Sequence, residues 1–354
     1  TTETARTGDV THSYATAGIQ TISISGEFPG IYLGLGDFTP TPEIAKNREQ
    51  IRTVERWGVL QWKTMESAFL LANTLTVNAT DVPDFSQVNN LEFMFYGIAN
   101  LNGNFNHWDV SNITNMENMF HGSSFSQDIS AWNVSNVTNM HSMFGFSSFN
   151  QDISAWDVAN VTNMRAMFFN SLFNQDISTW DVSNVTDISF LFASSPFNQN
   201  ISSWDVSNVT TMSFLFRGST FNQEISTWDV GNVTDMGSMF SGSSFNQDIS
   251  SWDVGNVTIM RRMFEDSQFN QDISEWNVSK VNSMFGMFRG SSYNKDISNW
   301  DVSNVTLMLI MFEDSSFNQN ISAWNVSNVT NCSDFALNGA LSAVNTPNFT
   351  NCTF

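Results

Sequence analysis

Basic residues are scarce in this 354-residue chain: 13 lysines and arginines stand against 34 acidic residues, a formal net charge of -21. Nucleic-acid affinity rests on Lys and Arg neutralising phosphates, so this balance argues against a nucleic-acid partner. No apolar run approaches the ~18 residues that read as a membrane-spanning helix. The four histidines, His12, His107, His121 and His141, show no metal-ligand spacing, and none is read as paired with a plausible nucleophile. A catalytic site also needs a unique cluster of perturbed groups, whereas the polar residues here recur throughout. The chain is therefore read as non-enzymatic, with no catalytic and no cofactor-binding residue. It begins at Thr1 without a visible signal peptide, which reads as a processed chain or a fragment.

What is abundant is apolar bulk, with 32 Phe, 17 Met and 12 Trp. Trp108, Trp132, Trp156, Trp180, Trp204, Trp228, Trp252, Trp276, Trp300 and Trp324 follow one another at a spacing of 24. Around each lies a phrase close to FNQDISxWDVSNVTNMxxMFxxSS. Two phenylalanine columns, represented by Phe149 and Phe144, and two methionine columns, represented by Met140 and Met143, repeat with it. These columns at helical spacing are read as core.

Within one repeat, Trp132 and Val134 stand two apart, which suits one face of a short strand. Thr138 is placed to cap a helical turn carrying Met140, Met143 and Phe144 at i, i+3 and i+4. The expectation is an α/β solenoid, leucine-rich-repeat-like, with one short parallel strand and one helical turn per 24-residue coil. Worn copies run upstream through Phe85, Met94 and Phe95 to Met65 and Phe69, giving about twelve coils at the ~4.8 Å spacing of neighbouring strands.

The phrase resembles the repeat of BspA-like, leucine-rich-repeat-related surface proteins of bacteria and some protists, over roughly residues 50 to 340. That resemblance implies a surface-exposed or secreted protein described as adhesive. The stretch Val10 to Tyr14 followed by Gly18 to Gly26 resembles the last strands of a PKD-type β-sandwich. Four segments follow: a partial PKD-like β-sandwich remnant (1–40), a connector with degenerate first coils (41–107), the regular repeats (108–331) and a C-terminal cap (332–354).

Four sets of residues offer chemistry. Asp157, Asp181, Asp205, Asp229 and Asp253 belong to a carboxylate column that suits Ca²⁺ ligation; capped turns or a solvated wall is the heavier alternative, since no calcium-loop signature appears. Glycosylation sequons occur inside the repeat, as at Asn136, Asn184 and Asn208, and outside the regular coils at Asn78, Asn348 and Asn351. A second asparagine column, Asn150 to Asn318, reads as a buried amide ladder. Cys332 and Cys352, the only cysteines, read as one disulfide stapling the cap, with free thiols as the alternative; a disulfide implies an oxidising, extracellular setting.

Departures from the phrase, Arg165, Arg217, Arg261, Arg262, Lys280, Arg289 and Lys295, look scattered along the chain. Two functional expectations follow. The first is an extracellular fibre subunit that assembles with itself head to tail, a neighbour completing the N-terminal sandwich. The second is a monomeric cell-surface adhesin that binds a receptor or glycan through its wall. Neither needs a cofactor beyond Ca²⁺ or N-linked glycans.

Overall fold

The computed structural model describes residues 18–23, 30–31 and 48–352. The sandwich expected over residues 1–40 lies almost wholly outside the described residues, and segments 18–23 and 30–31 form no strand.

The α/β solenoid class is overturned. Apart from residues 48–50, the only helix among the described residues is a single 3₁₀ turn, Ala343–Asn345. The only sheet among the described residues pairs β1 (Thr53–Val54) in parallel with β2 (Thr76–Val77). Elsewhere the coils meet through single parallel bridges, such as Asn139 with Asn163 and Asn163 with Asp187.

The backbone explains why the expected helical turn does not form. Ser142 and Phe146 lie in the left-handed region, at φ 52° and 54°, and the same two positions recur in coil after coil. A left-handed residue breaks the i to i−4 pattern of an α-helix, so the amides divide their labour. Those of Met140, Ser142, Phe144 and Phe146 donate to carbonyls of the following coil, at Asn163, Arg165, Met167 and Phe169. The intervening amides of Met143, Gly145 and Ser147 close tight turns onto the residue three back.

The expected strand dissolves in the same way. Trp132 closes a turn on Ile129 and Val137 closes one on Val134, at 3.1 and 2.9 Å. The apolar-x-x-apolar spacing thus marks the first and fourth residues of tight turns, both pointing inward. Each coil is a chain of turns, held to its neighbours at a 24-residue offset.

All ten repeated tryptophans are buried, as are the Phe, Ile, Val and Met columns around them, in one continuous cluster. Each ring packs against its own copy one coil away: Trp132 on Trp156 at 6.4 Å, Phe144 on Phe168 at 5.9 Å, Phe149 on Phe173 at 6.2 Å. The indole also reaches backwards, Trp204 Nε1 donating to the Ile177 carbonyl at 3.1 Å. A buried serine column completes the turn: Ser171 Oγ donates to the Phe168 carbonyl at 2.9 Å and accepts the Phe173 amide at 3.3 Å. Backbone groups that a turn would leave orphaned in the interior are thereby paired.

In the aromatic columns a tyrosine interrupts this satisfaction. Tyr293 replaces phenylalanine between Phe269 and Phe317, and its hydroxyl is buried with no hydrogen-bond partner among the described residues. Burial, reinforced by Asp272 and Asp296, pushes its phenol far above the ordinary value, so it stays protonated. Desolvating an unpaired hydroxyl costs about 1–3 kcal/mol. Tyr293→Phe is expected to stabilise the chain by about 1–2 kcal/mol in urea unfolding; a lower midpoint would show that the hydroxyl has a partner.

Candidate functional site: the variable turn face

The repeated polar columns are occupied in holding the coils. Asp157, Asp181, Asp205, Asp229 and Asp253 are exposed, and one oxygen of each accepts the backbone amide two residues on, at 3.0–3.2 Å. They line up in one column, yet no three His, Cys, Asp or Glu side chains converge on a metal-binding point among the described residues. The second aspartate column does the same work on the preceding turn, as Asp152 does for the Ser154 amide at 2.9 Å.

These bonds favour the charged carboxylate. Asp128, Asp152, Asp176, Asp248 and Asp272 sit below the ordinary 3.8, first through the backbone amide and then the hydroxyl of the serine two residues on. In Asp181, Asp205 and Asp301 the serine hydroxyl is the larger cause and the amide the second. A folded-state value held below the unfolded one gives stability that is complete above the unfolded value and is lost as pH falls through the folded one. The melting temperature is therefore expected to hold steady down to about pH 5 and to fall as pH drops through about 4 and below. A flat profile down to about pH 2 would mean that these carboxylates leave folding indifferent.

Among the sequons, Asn136, Asn184 and Asn208 are exposed, but each side-chain nitrogen already donates to a carbonyl one coil back at 2.8 Å: Ser111, Ala159 and Ser183. Asn78 donates to Glu55 at 3.0 Å, and Asn351 to the Ser327 carbonyl. Asn348 is exposed without such a bond among the described residues. The asparagine column that reads as a buried amide ladder is half-buried from Asn174 to Asn270 and exposed at Asn150, Asn294 and Asn318, and it works differently: the Asn150 side-chain oxygen accepts the Asn174 backbone amide at 2.9 Å. Cys332 and Cys352 are joined by a disulfide.

Where the repeated columns look alike from coil to coil, the outer side of the turn segment does not. All five arginines beyond residue 56 lie there: Arg165, Arg217, Arg261, Arg262 and Arg289. Between them runs an uninterrupted series of rings outside the core. Tyr96 stacks on His121 at 4.8 Å, His121 meets Phe146 at 5.2 Å, and Phe146 meets Phe169 edge-on at 4.8 Å. Phe169 continues to Phe190 at 5.8 Å, and Phe190 stacks on Phe214 at 4.3 Å. The Arg165 guanidinium lies 5.2 Å from the Phe190 ring centre, and that of Arg217 lies 6.0 Å from Phe214. Such pairings keep flexible arginines in place on the ring faces.

At one end of this series Ser142 Oγ lies 2.7 Å from His121 Nδ1, a pairing across coils that the chain order does not show. Ser142 is buried, so the contact ties two coils together. Burial, then His141, lowers the affinity of His121 for its proton. At the other end Glu265 joins Arg262 at 3.6 Å and Arg289 at 3.3 Å, and Arg289 reaches Glu313 at 2.6 Å.

The family model described as "Mycoplasma protein of unknown function, DUF285" matches residues 63–172, 144–220, 169–268, 193–292 and 244–349 in overlapping copies. The chain belongs to the DUF285 family. Its BspA-like repeat is thereby placed, while the PKD-like segment lies outside the matched residues. No curated protein matches the chain. In this DUF285 protein no helix among the described residues is long and apolar enough to cross a membrane.

The ring series is the part of the DUF285 chain that repeat reading passed over. Its signal lay in the phenylalanines that fit neither core column, namely Phe93, Phe146, Phe169, Phe190, Phe214 and Phe285. All six fall within the same short segment of their coils.

Proposed function

We propose that this DUF285 chain is a non-enzymatic binding module of the cell surface or extracellular space, engaging its partner through the variable turn face. One observation carries the reading: the arginines and the rings that depart from the strict repeat gather on one side, where they build a connected surface. A repeated scaffold that holds its own polar groups in turn caps leaves only such departures to distinguish a partner. Phe146 and Leu172, 48% and 59% exposed, place large apolar side chains in solvent on this side. Contiguous exposed apolar surface of this kind marks interaction sites. The Cys332–Cys352 disulfide supports an oxidising compartment.

The fibre-subunit expectation depends on residues 1–40, which lie almost wholly outside the described residues, so no described contact favours it. The binding reading is tested with the double variant Phe146→Ser, Phe214→Ser on an array of extracellular proteins and glycans. The parent chain is expected to bind saturably and the variant to lose that binding while melting like the parent. Binding that survives the double substitution would move the site elsewhere.

A further inference from the structure

The turn face is not uniform, and its middle has a distinct charge. Segments 139–148, 163–172, 187–196 and 211–220 carry Arg165, Arg217 and the titratable His141, against Asp187 as their single acid. Asp187 approaches Arg165 at 4.0 Å, whereas Arg217 has no ion pair among the described residues. A protein of net charge -21 therefore bears, on its most apolar exposed side, an island with a slight excess of positive charge. Acidic neighbourhoods lie beyond it in both directions, with Glu66, Glu92 and Glu117 on one side and Glu265 and Asp266 on the other.

The chemistry of the rings narrows the ligand. Sugars are held on flat ring faces left open to solvent. Here the faces are partly covered: Phe190 and Phe214 stack on one another, arginines lie over them, and Phe146 packs edge-on to Phe169. The apolar surface left open at Phe146 and Leu172 suits apolar side chains. The net charge of -21 repels any anionic ligand at long range, so a partner that meets Arg217 with a carboxylate needs apolar groups beside it to be held here.

Length points the same way. From Phe146 to Phe214 the island crosses three coil steps, about 14 Å at ~4.8 Å per step, or about four residues of extended polypeptide. We propose that the island of Phe146, Phe169, Phe190 and Phe214, edged by Arg165 and Arg217, docks an extended acidic polypeptide segment of a partner protein that carries apolar side chains. The proposal rests on the binding-module reading above and adds the ligand class. Apolar side chains of the segment cover the ring edges, and one of its carboxylates meets the unpaired guanidinium of Arg217.

The test uses the full chain and fluorescent peptides of about twelve residues, long enough to span the series, one alternating Asp with Leu or Phe and one with Lys in place of Asp. The acidic peptide is expected to bind saturably and the basic one to fail. Arg217→Glu should weaken binding about tenfold or more, because it sets like charges face to face. Phe146→Ser with Phe214→Ser should abolish it at an unchanged melting temperature. Equal binding of both peptides, or indifference to Arg217→Glu, overturns the proposal. If neither peptide binds but an oligosaccharide does, and the Phe variant loses it, the binding module stands and the polypeptide ligand falls. If sedimentation shows a dimer that Phe146→Ser disrupts, the occupant is a second copy of the chain and the proposal likewise falls. If no peptide or array ligand binds the parent, both readings fail together.

Discussion

Trp204→Ala lowers the stability of the chain by about 3–5 kcal/mol, the cost of emptying a large aromatic site in a packed interior. The indole is buried, its ring lies 6.1 Å from that of Phe192, and its nitrogen supplies the hydrogen bond to the Ile177 carbonyl one coil back. Removal therefore leaves a void and strands a carbonyl. Trp204→Phe separates these effects: it keeps most of the ring and drops the donor, for an expected loss of about 1–3 kcal/mol. Because each coil touches only its neighbours, a defect in the middle weakens coupling between two halves. Urea unfolding followed by circular dichroism should show a lower midpoint for the alanine variant and a broadened or two-step transition. A profile identical to the parent would mean that the coils are not held by this column.

Removing the disulfide with Cys332→Ser costs about 3 kcal/mol by the loop-closure argument for its 20-residue separation. The effect concentrates at the C-terminal end of the stack, where Cys332 stands in the methionine column and is fully buried. The chain beyond it folds back: Phe349 packs edge-on against Phe335 at 4.9 Å, and Asn345 donates to the Asn318 carbonyl at 3.0 Å. With the staple cut, residues 339–352 lose their tether and the last coil opens its core to water. Faster amide exchange and proteolysis at residues 320–352 are expected in the variant, with the middle coils protected as before. Protection unchanged throughout would show that packing alone closes this end.

The columns of Trp, Phe and Met were legible in sequence because core positions in a strict repeat must be filled alike in every copy. What those columns build was not. An apolar-x-x-apolar step serves equally as one turn of helix or as the two inward ends of a tight turn, and periodicity alone does not separate them. The signal that decides sits two residues after Phe144, in the column Gly122, Phe146, Asn170, Ser194, Gly218, Gly242, Asp266, Gly290, Asp314 and Asn338. Glycine, asparagine and aspartate are the residues that enter the left-handed region at least cost, and these positions have φ near 50–65°. The candidate site was hidden for a related reason. Tyr96, His121 and Phe169 stand in one column, Phe190 and Phe214 in another and Phe146 in a third, and only the offset of the stack makes them neighbours.

The uniform offset has a consequence for how such a molecule changes over generations. Between Phe120 and Asn331 nearly every link between coils joins a residue to one 23 to 27 places away, and the same link recurs in the next copy. Excising residues 222–245 brings the Asn246 amide to the Asn198 oxygen that now receives Asn222, with the ring stacks closing across the junction. A coding unit of 24 codons, about 72 bases, can be lost or gained in frame by misaligned recombination. Unit number is thus free to drift while both ends stay sealed, and the docking island travels intact as a cassette within a scaffold of adjustable length.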